Sequence, residues 1–453
     1  MPNVQLNVVV VGGGIAGLTA ALALRRQRHI VTVVEPSSWL REFGAAVTIT
    51  PNSSRVLTEL GIDLKRDVKA AVFRSAKEYR CTSKDQSFRF GSNGDGRELP
   101  WVDRLKAINL LGKFYMAHRV DLHEALKNKC ISQDGPGEPV RIVLSSKVVS
   151  WHPEGSVKLS DGTEIFGDLI VAADGIRSEA HAIILGHKSP ATPSGLDNLR
   201  FIVKTEDILN DPTTAPLMDD GPGCFAFYVD PVRKRNLLRY ACRNDGMQNF
   251  GAYAPTDNAD NLIGRQASLA EVSERLSTLP PMFQAIGTKA SSIYLWKIGD
   301  RKPIPSYTKD KLVLVGDAAH PMWPRQGQGA AQSIEDGGTL GVLMSNLTSK
   351  AEVPARLKLY DELRVHRTSI VQLLSRTSEV QDEMMKITRF PDAPLPEEIA
   401  VIFRRFGKGS VPANYQEVTG WLWGHDCIKE AQALMASSFL KAQEEMTPLQ
   451  MHL

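Results

Sequence analysis

Residues 7–18 read NVVVVGGGIAGL, and this stretch decides the fold. A valine-rich run that ends in glycines is typical of a buried parallel strand, and helix-forming residues follow it from 15 to 26. Residues 30–35, IVTVVE, indicate a second strand. A strand, a glycine-rich turn, a helix and a strand in this order make a βαβ unit. The sequence therefore predicts an α/β protein with a Rossmann-like nucleotide-binding domain.

The turn carries the G-x-G-x-x-G spacing of dinucleotide sites, at Gly12, Gly14 and Gly17. The first glycine allows the tight turn, the second lets a pyrophosphate approach the backbone, and the third allows the helix to pack closely. Glu35 ends the second predicted strand, where it can accept hydrogen bonds from a ribose. Its charge would repel a 2′-phosphate, so FAD or NAD fits this first site better than NADP.

Two further segments place an acid and a glycine together after a buried strand. They are LIVAADGIRS at 169–178, with Asp174, and LVLVGD at 312–317, with Asp317. In open α/β sheets, ligands bind beyond the carboxyl ends of the strands. Either segment alone would also fit a helix cap and a turn. Together with the first turn, they favour FAD over NAD.

Composition excludes several other classes of protein. The 453 residues include 54 basic and 51 acidic side chains, a net charge of +3, and no basic run suggests a nucleic-acid partner. The five cysteines include no C-x-x-C pair, which argues against a disulfide framework or a zinc site, and we expect no metal. The uncharged first 24 residues lack a basic start and contain four glycines. We therefore expect a cytoplasmic protein with no membrane span.

The chain resembles the class A FAD-dependent aromatic monooxygenases, and within them the salicylate hydroxylase-like and fungal phenol-dearomatising branch. The markers are GGGIAGL at 12–18, ADGIRS at 173–178 and GDAAHPMWPRQGQGA at 316–330, and the resemblance spans nearly the whole chain. It implies an α/β fold, α+β overall, with a GR2-type Rossmann-like FAD-binding domain, an inserted sheet domain for the substrate and a helical C-terminal region.

The resemblance also implies domain boundaries. The FAD-binding domain would comprise residues 1–75, 105–182 and 298–350. The substrate-binding β-sheet domain would comprise residues 76–104 and 183–297, and the helical C-terminal region residues 351–453.

Besides the three glycines, the resemblance implies roles for seven residues in binding FAD. They are Glu35 at the adenosine ribose, Ala46 at the flavin through its backbone, Arg119 at the pyrophosphate and ribityl chain, Asp174 between FAD and the transient nicotinamide, Asp317 at the ribityl chain, and Gly329 and Ala330, whose N–H groups would lie near the isoalloxazine.

On the substrate side, the resemblance implies an arginine and a tyrosine on the sheet that faces the flavin. Arg200 in NLRFIVK and Tyr228 in CFAFYVD are the candidates; a surface arginine and a core tyrosine are the alternatives. His320 would act as a base or shape the flavin pocket. Lys297 and Arg301 would attract NAD(P)H phosphates or lie on a solvated face.

The implied reaction is that of a single-component monooxygenase. A hydride from NADPH or NADH reduces non-covalently bound FAD, O2 then forms a flavin C4a-hydroperoxide, and one oxygen atom enters an aromatic, phenolic substrate by hydroxylation or dearomatisation in secondary metabolism. We expect a small aromatic substrate, O2 and NAD(P)H as partners of a monomer or homodimer. Three alternatives stay open: an epoxidase of an indole or prenyl double bond, an oxidase or reductase of the same fold, and a flavin-binding non-enzyme.

Overall fold

The computed structural model describes residues 4–38, 46–80, 97–230, 235–256, 264–277, 279–376 and 415–450, with the single residues 397, 400, 404 and 412. The strands in these ranges are β1 (Asn7–Val11), β2 (Ile30–Val34), β3 (Ala46–Ile49), β4 (Ala71–Val72), β5 (Ser75–Arg80), β6 (Arg97–Glu98), β7 (Tyr115–His118), β8 (Arg141–Val143), β9 (Val148–His152), β10 (Ser156–Leu159), β11 (Glu164–Phe166), β12 (Leu169–Ala172), β13 (Thr192–Lys204), β14 (Cys224–Asp230), β15 (Arg235–Cys242), β16 (Met247–Pro255), β17 (Arg265–Gln266), β18 (Ser291–Asp300), β19 (Thr308–Lys309) and β20 (Leu312–Leu314). The helices are α1 (Ile15–Arg26), α2 (Pro51–Glu59), α3 (Pro100–Ala107), α4 (Arg119–Ile131), α5 (Ala180–Leu185), α6 (Thr205–Leu209), α7 (Leu269–Leu276), α8 (Pro281–Gly287), α9 (Gly329–Leu343), α10 (Val353–Leu374), α11 (Tyr415–Trp423) and α12 (Cys427–Gln450).

A six-stranded sheet forms the centre of the nucleotide-binding half. Its order is β19-β20-β12-β1-β2-β8, and every pair is parallel except β19 with β20. The valines of β1, Val8–Val11, are all buried, as expected for a strand whose two faces are both covered. The predicted βαβ unit and Rossmann-like fold are therefore confirmed.

A second sheet of eight strands has the order β17-β18-β13-β16-β15-β14-β5-β6. Its pairs are antiparallel except β14 with β5. Its strands come from two parts of the chain, 75–98 and 192–300. The sheet of the predicted fold class is thus present, whereas the domain boundaries remain a proposal. Residues 81–96, inside the predicted segment 76–104, lie outside the described residues.

The two faces of this second sheet have different surroundings. One face is covered by α7 and α8, and its apolar core includes Leu199, Phe201 and Phe283. The other face carries Arg200, whose side chain reaches Ala46 in β3. This second face therefore meets the nucleotide-binding half of the molecule.

The C-terminal part of the described chain is helical. It consists of α10, α11 and α12, which follow α9. Of the predicted helical region 351–453, residues 377–396 and 451–453 and most of 398–414 lie outside the described residues. Among the helices that are described, none is both long and apolar enough to cross a membrane.

Candidate active site

Three loops converge beyond the carboxyl ends of β1, β12 and β20. A β-carbon on Gly12, which has a φ of +104°, would lie 2.4 Å from the carbonyl oxygen of Ala173. A β-carbon on Gly316 would lie 2.7 Å from Cβ of Ala16. The glycine turn therefore packs directly on the loops that carry Asp174 and Asp317, although the three segments are far apart in the sequence.

The glycine turn leaves one open position. A β-carbon on Gly14 would have no atom within 4 Å among the described residues, whereas one on Gly17 would lie 1.9 Å from the carbonyl oxygen of Gly12. Gly14 immediately precedes α1, and having no side chain it leaves the first N–H groups of that helix uncapped. An uncapped helix N-terminus beside open space suits the pyrophosphate of a dinucleotide.

Glu35 and α4 hold the glycine turn in place. The carboxylate of Glu35 accepts hydrogen bonds from the backbone N–H of Gly13 at 2.8 Å and of Ser37 at 3.0 Å. Nε2 of His123 lies 2.8 Å from the carbonyl oxygen of Gly13. Arg119 is the first residue of α4, so the helix that contacts the turn also places this arginine at its edge.

Ala46 is held from the second sheet. It pairs with His118, the residue before Arg119, in the ladder between β3 and β7. Its N–H donates to Oδ1 of Asn249 at 3.3 Å, and its carbonyl accepts from the hydroxyl of Tyr240 at 2.8 Å and from Arg200. The backbone that the resemblance places against the flavin is therefore fixed by three side chains of the sheet domain.

The two acid-bearing loops offer contrasting environments. Burial raises the pKa of Asp174 to about 6, although a hydrogen bond with Ser178 and the charge of Arg301 oppose this effect. In the part of the chain that the structure describes, Oδ1 of Asp174 is buried without a hydrogen-bond partner. Asp317 lies on the exposed surface of its loop. A buried oxygen of this kind is expected to bind a ligand or an ordered water.

Helix α9 begins at Gly329 and Ala330, beside β3. A β-carbon on Gly329 would have Met322 as its nearest neighbour, at 3.9 Å, so the start of the helix is accessible. Thr48 of β3 donates a hydrogen bond to the carbonyl of Gly327 at 3.3 Å. The strand that carries Ala46 is therefore linked to the loop that leads into α9.

A cluster of buried charged side chains joins α9 to α10. Arg364 of α10 donates to Glu335 at 2.6 Å and to Asp336 at 2.7 Å, and Arg367 also binds Glu335. Nε2 of His320 lies 2.7 Å from Asp336, and the imidazole is fully buried. His320 thus belongs to this cluster, which agrees with a role in shaping the pocket. The cluster was not predicted from the sequence, where its signal was two adjacent acids in an otherwise uncharged helix.

The structure does not bring the two predicted substrate residues together. Alternate residues of a strand point to opposite faces. Tyr228 pairs with Leu237 and therefore lies on the face covered by α8, where its ring stacks on Tyr79 at 5.1 Å and contacts Phe283 at 4.8 Å. Arg200 lies on the other face. These contacts match the alternative of a core tyrosine.

Tyr240 is the tyrosine that accompanies Arg200. Its hydroxyl lies 3.0 Å from Nη2 of the arginine. Its position could not be predicted from the sequence, because the face of a tyrosine depends on the register of its strand. Arg301 also departs from expectation: it is only 1% exposed, so the alternative of a solvated face is wrong for this residue.

The site fits a flavin dinucleotide. FAD would use three features of the site: the open position at Gly14, the uncapped start of α1, and the oxygen of Asp174 that has no partner among the described residues. Together they define a dinucleotide-binding protein. Residues 5–374 match the family described as FAD binding domain, and the chain belongs to this family.

Relatives share both the length and the chemistry. The chain is 32% identical over 428 residues to an FAD-dependent monooxygenase of Diaporthe leptostromiformis, covering 92% of this chain and 99% of the relative. It is 28% identical to the hispidin-3-hydroxylase of Neonothopanus nambi, covering 84% of this chain and 90% of the relative. A solved salicylate hydroxylase in complex with substrate has a TM-score of 0.67 at 24% identity, covering 94% of this chain and 97% of that chain.

These findings confirm the predicted family, the cofactor and the enzyme class. The chain is an FAD-dependent monooxygenase of the aromatic hydroxylase type. The alternatives of a flavin-binding non-enzyme and of an oxidase or reductase are set aside, because the relatives of similar length are monooxygenases.

Proposed function

We propose that the enzyme consumes NADPH or NADH and inserts one atom of O2 into a phenolic ring, by hydroxylation or dearomatisation. Bound FAD supplies the redox and oxygen chemistry, while the chain binds and orients the substrate and excludes water. A phenolate ring is a better nucleophile than the neutral phenol. The protein therefore needs a group that favours the ionised ring oxygen.

The observation that carries this proposal is the arrangement of hydrogen-bond donors on the guanidinium of Arg200. Its Nη2 is anchored by the carbonyl of Ala46, the hydroxyl of Tyr240 and Oδ1 of Asn249. Among the described residues, its Nε and Nη1 have no hydrogen-bond partner. An arginine is charged at every relevant pH, and its two remaining donors can stabilise a phenolate oxygen.

Two amide side chains lie on the same face of the sheet as Arg200. Arg200 pairs with Gly251 in the ladder between β13 and β16, so Asn198 and Asn249, each two residues away along a strand, lie on the same face. Both are at least 95% buried. Within the described chain, Oδ1 of Asn198 and Nδ2 of Asn249 have no hydrogen-bond partner. Such groups suit a second hydroxyl or carbonyl of the substrate.

The name of one relative supports hydroxylation as the type of reaction. Hispidin-3-hydroxylase is named for introducing a hydroxyl group into hispidin. The proposal transfers the type of reaction to this chain and leaves the identity of the phenol to experiment.

The test is a panel of phenols added to the purified yellow protein with NADPH or NADH. We expect at least one phenol to accelerate NAD(P)H oxidation and to gain one labelled oxygen atom from 18O2, with a rate that rises with pH as the phenol ionises. Arg200→Ala should remove the acceleration while FAD stays bound. Lys204→Ala, at the exposed end of the same strand, is the matched control. Full stimulated activity in Arg200→Ala, or a product without labelled oxygen, would contradict the proposal.

A further inference from the structure

Arg301 is a buried arginine that joins two loops of the cofactor site. It follows the last residue of β18 and is only 1% exposed. Its Nη2 donates to the carbonyl of Ile176 at 3.1 Å, and its Nη1 donates to the carbonyl of Ala318 at 2.9 Å. Its Nε donates to the carbonyl of Ser189 at 2.6 Å. One guanidinium therefore bridges the loop after β12 and the loop after β20.

The two bridged loops are the ones that carry the cofactor-site acids. Ile176 comes two residues after Asp174, and Ala318 comes directly after Asp317. The ladder between β12 and β20 ends at the pair of Ala172 with Leu314. Beyond this pair the loops depart from the sheet, and the guanidinium takes over the role of the backbone ladder in setting the distance between them.

The acids nearest to Arg301 influence its charge without forming an ion pair with it. Burial lowers the pKa of this guanidinium, while the charges of Asp174 and Asp317 raise it. Among the described residues, no carboxylate lies within ion-pair distance of Arg301. A buried cation held by carbonyl dipoles instead of a contact partner is unfavourable for stability. What sets Arg301 apart is therefore the identity of the loops to which its carbonyl partners belong.

The backbone of Arg301 is also fixed, by a hydrogen bond from α10. Nε2 of Gln372, a fully buried residue of α10, donates to the carbonyl of Arg301 at 3.2 Å and to the carbonyl of Pro321 at 2.9 Å. Pro321 lies in the same loop as Asp317. The side chain and the backbone of Arg301 are thus both fixed relative to the loop after β20.

We propose that Arg301 is a positioning residue that sets the spacing of the Asp174 and Asp317 loops and thereby the affinity for FAD. It acts through the backbone of both loops and does not contact the substrate. The proposal depends on FAD binding alone, so a failure of the phenol hypothesis would leave it unchanged.

Arg25 provides a matched control for the test. It is also a buried arginine, 2% exposed, whose guanidinium donates to backbone carbonyls, including those of Lys129, Cys130 and Ser132. These carbonyls belong to the end of α4 and the residue after it, not to the acid-bearing loops. Loss of either arginine leaves buried carbonyls unsatisfied, so both substitutions are expected to lower stability.

The experiment measures FAD retention and thermal unfolding in Arg301→Met, Arg301→Lys and Arg25→Met. Dilution of each holoenzyme, followed by flavin fluorescence, gives the Kd for FAD. We expect both methionine variants to unfold at lower temperature, and only Arg301→Met to raise the Kd, by about tenfold or more. Arg301→Lys should fall between Arg301→Met and the wild type, because lysine keeps the charge but cannot bridge three carbonyls. The visible circular dichroism of bound FAD should change only in the Arg301 variants.

Two results would overturn the proposal. One is an FAD affinity in Arg301→Met equal to that of the wild type; the other is an equal loss of affinity in Arg25→Met. If Arg301→Met yields no folded protein, Arg301→Lys decides: wild-type affinity and an unchanged flavin spectrum in that variant would show that the three carbonyl contacts do not set the site.

Discussion

A β-carbon on Gly17 would lie 1.9 Å from the carbonyl oxygen of Gly12, so α1 packs directly on the turn that precedes it. A β-carbon on Gly14, which lies between them in the sequence, would meet no atom within 4 Å among the described residues. The three glycines of one motif therefore serve two purposes. Two of them allow close packing of the polypeptide, and the third leaves room for a ligand.

This difference predicts opposite effects for two alanine substitutions. Gly17→Ala forces a backbone shift and should lower the free energy of unfolding of the flavin-free protein by about 3 kcal/mol. Gly14→Ala should change that free energy by less than about 0.5 kcal/mol, since its φ of −74° suits alanine. It should nevertheless weaken FAD binding by about tenfold or more, because the methyl group lies where the pyrophosphate approaches. Urea unfolding and FAD titration measure the two quantities, and equal destabilisation by both substitutions would contradict this interpretation.

Asp174 should reduce the stability of the flavin-free protein at neutral pH. Burial raises its pKa to about 6 in the folded chain, whereas an aspartate in an unfolded chain titrates near pH ~4. Between these values the folded state holds a proton that the unfolded state has lost. The free energy of unfolding therefore falls as pH rises through this window and stays lower above it.

Asp174→Asn should remove this pH-dependent loss. We expect the flavin-free variant to be more stable than the wild type by about 1–3 kcal/mol at neutral pH, with a difference that shrinks as the pH falls toward ~4. The same variant should bind FAD more weakly. Urea unfolding across this pH range is the measurement, and Asp103→Asn, at an exposed position in α3, should stay within about 0.5 kcal/mol of the wild type. A gain in stability that does not vary with pH would show that the carboxyl is not the cause.

The sequence predicted the features that consecutive residues encode. The valines of β1, the glycine spacing and Glu35 at the end of β2 lie within one short stretch, where period and motif can be recognised directly. The placement of Tyr228 instead depends on the register of several strands that are distant in the sequence. The pairing of Glu335 with Arg364 joins two helices, and a single sequence carries no signal that selects this partner.

Asp336, in the charged cluster that joins α9 to α10, should contribute strongly to the stability of the protein. Its carboxylate accepts from Gly316 and Arg364, each at 2.7 Å, and contacts His320. Although burial raises its pKa, the charges of His320 and Arg364 and these hydrogen bonds hold it below its usual value. Asp336→Asn leaves a buried arginine with one anion fewer and should lower the free energy of unfolding by about 3–5 kcal/mol. Urea unfolding of the holoenzyme measures this loss. Glu206→Gln, on the exposed surface of α6, is the control, and a similar small effect of both substitutions would refute the prediction.

Removal of the hydroxyl of Tyr240 should affect catalysis more than removal of the hydroxyl of Tyr228. Burial raises the pKa of Tyr240 to about 12, so its hydroxyl remains a donor to the carbonyl of Ala46 and an acceptor from Arg200 throughout the working pH range. Tyr240→Phe releases both groups beside the predicted flavin contact. We expect a shift of the flavin absorption spectrum and about a tenfold loss of phenol-stimulated NAD(P)H oxidation.

Tyr228→Phe is the matched control for Tyr240→Phe. The side chain of Tyr228 interacts with the charge of Arg239 on the face covered by α8, away from Ala46. This substitution should lower the free energy of unfolding by about 1 kcal/mol and leave the flavin spectrum unchanged. Absorption spectra, NAD(P)H oxidation assays and urea unfolding of the two variants separate the roles of the two tyrosines. A flavin spectrum altered by Tyr228→Phe and not by Tyr240→Phe would reverse the assignment of the sheet faces.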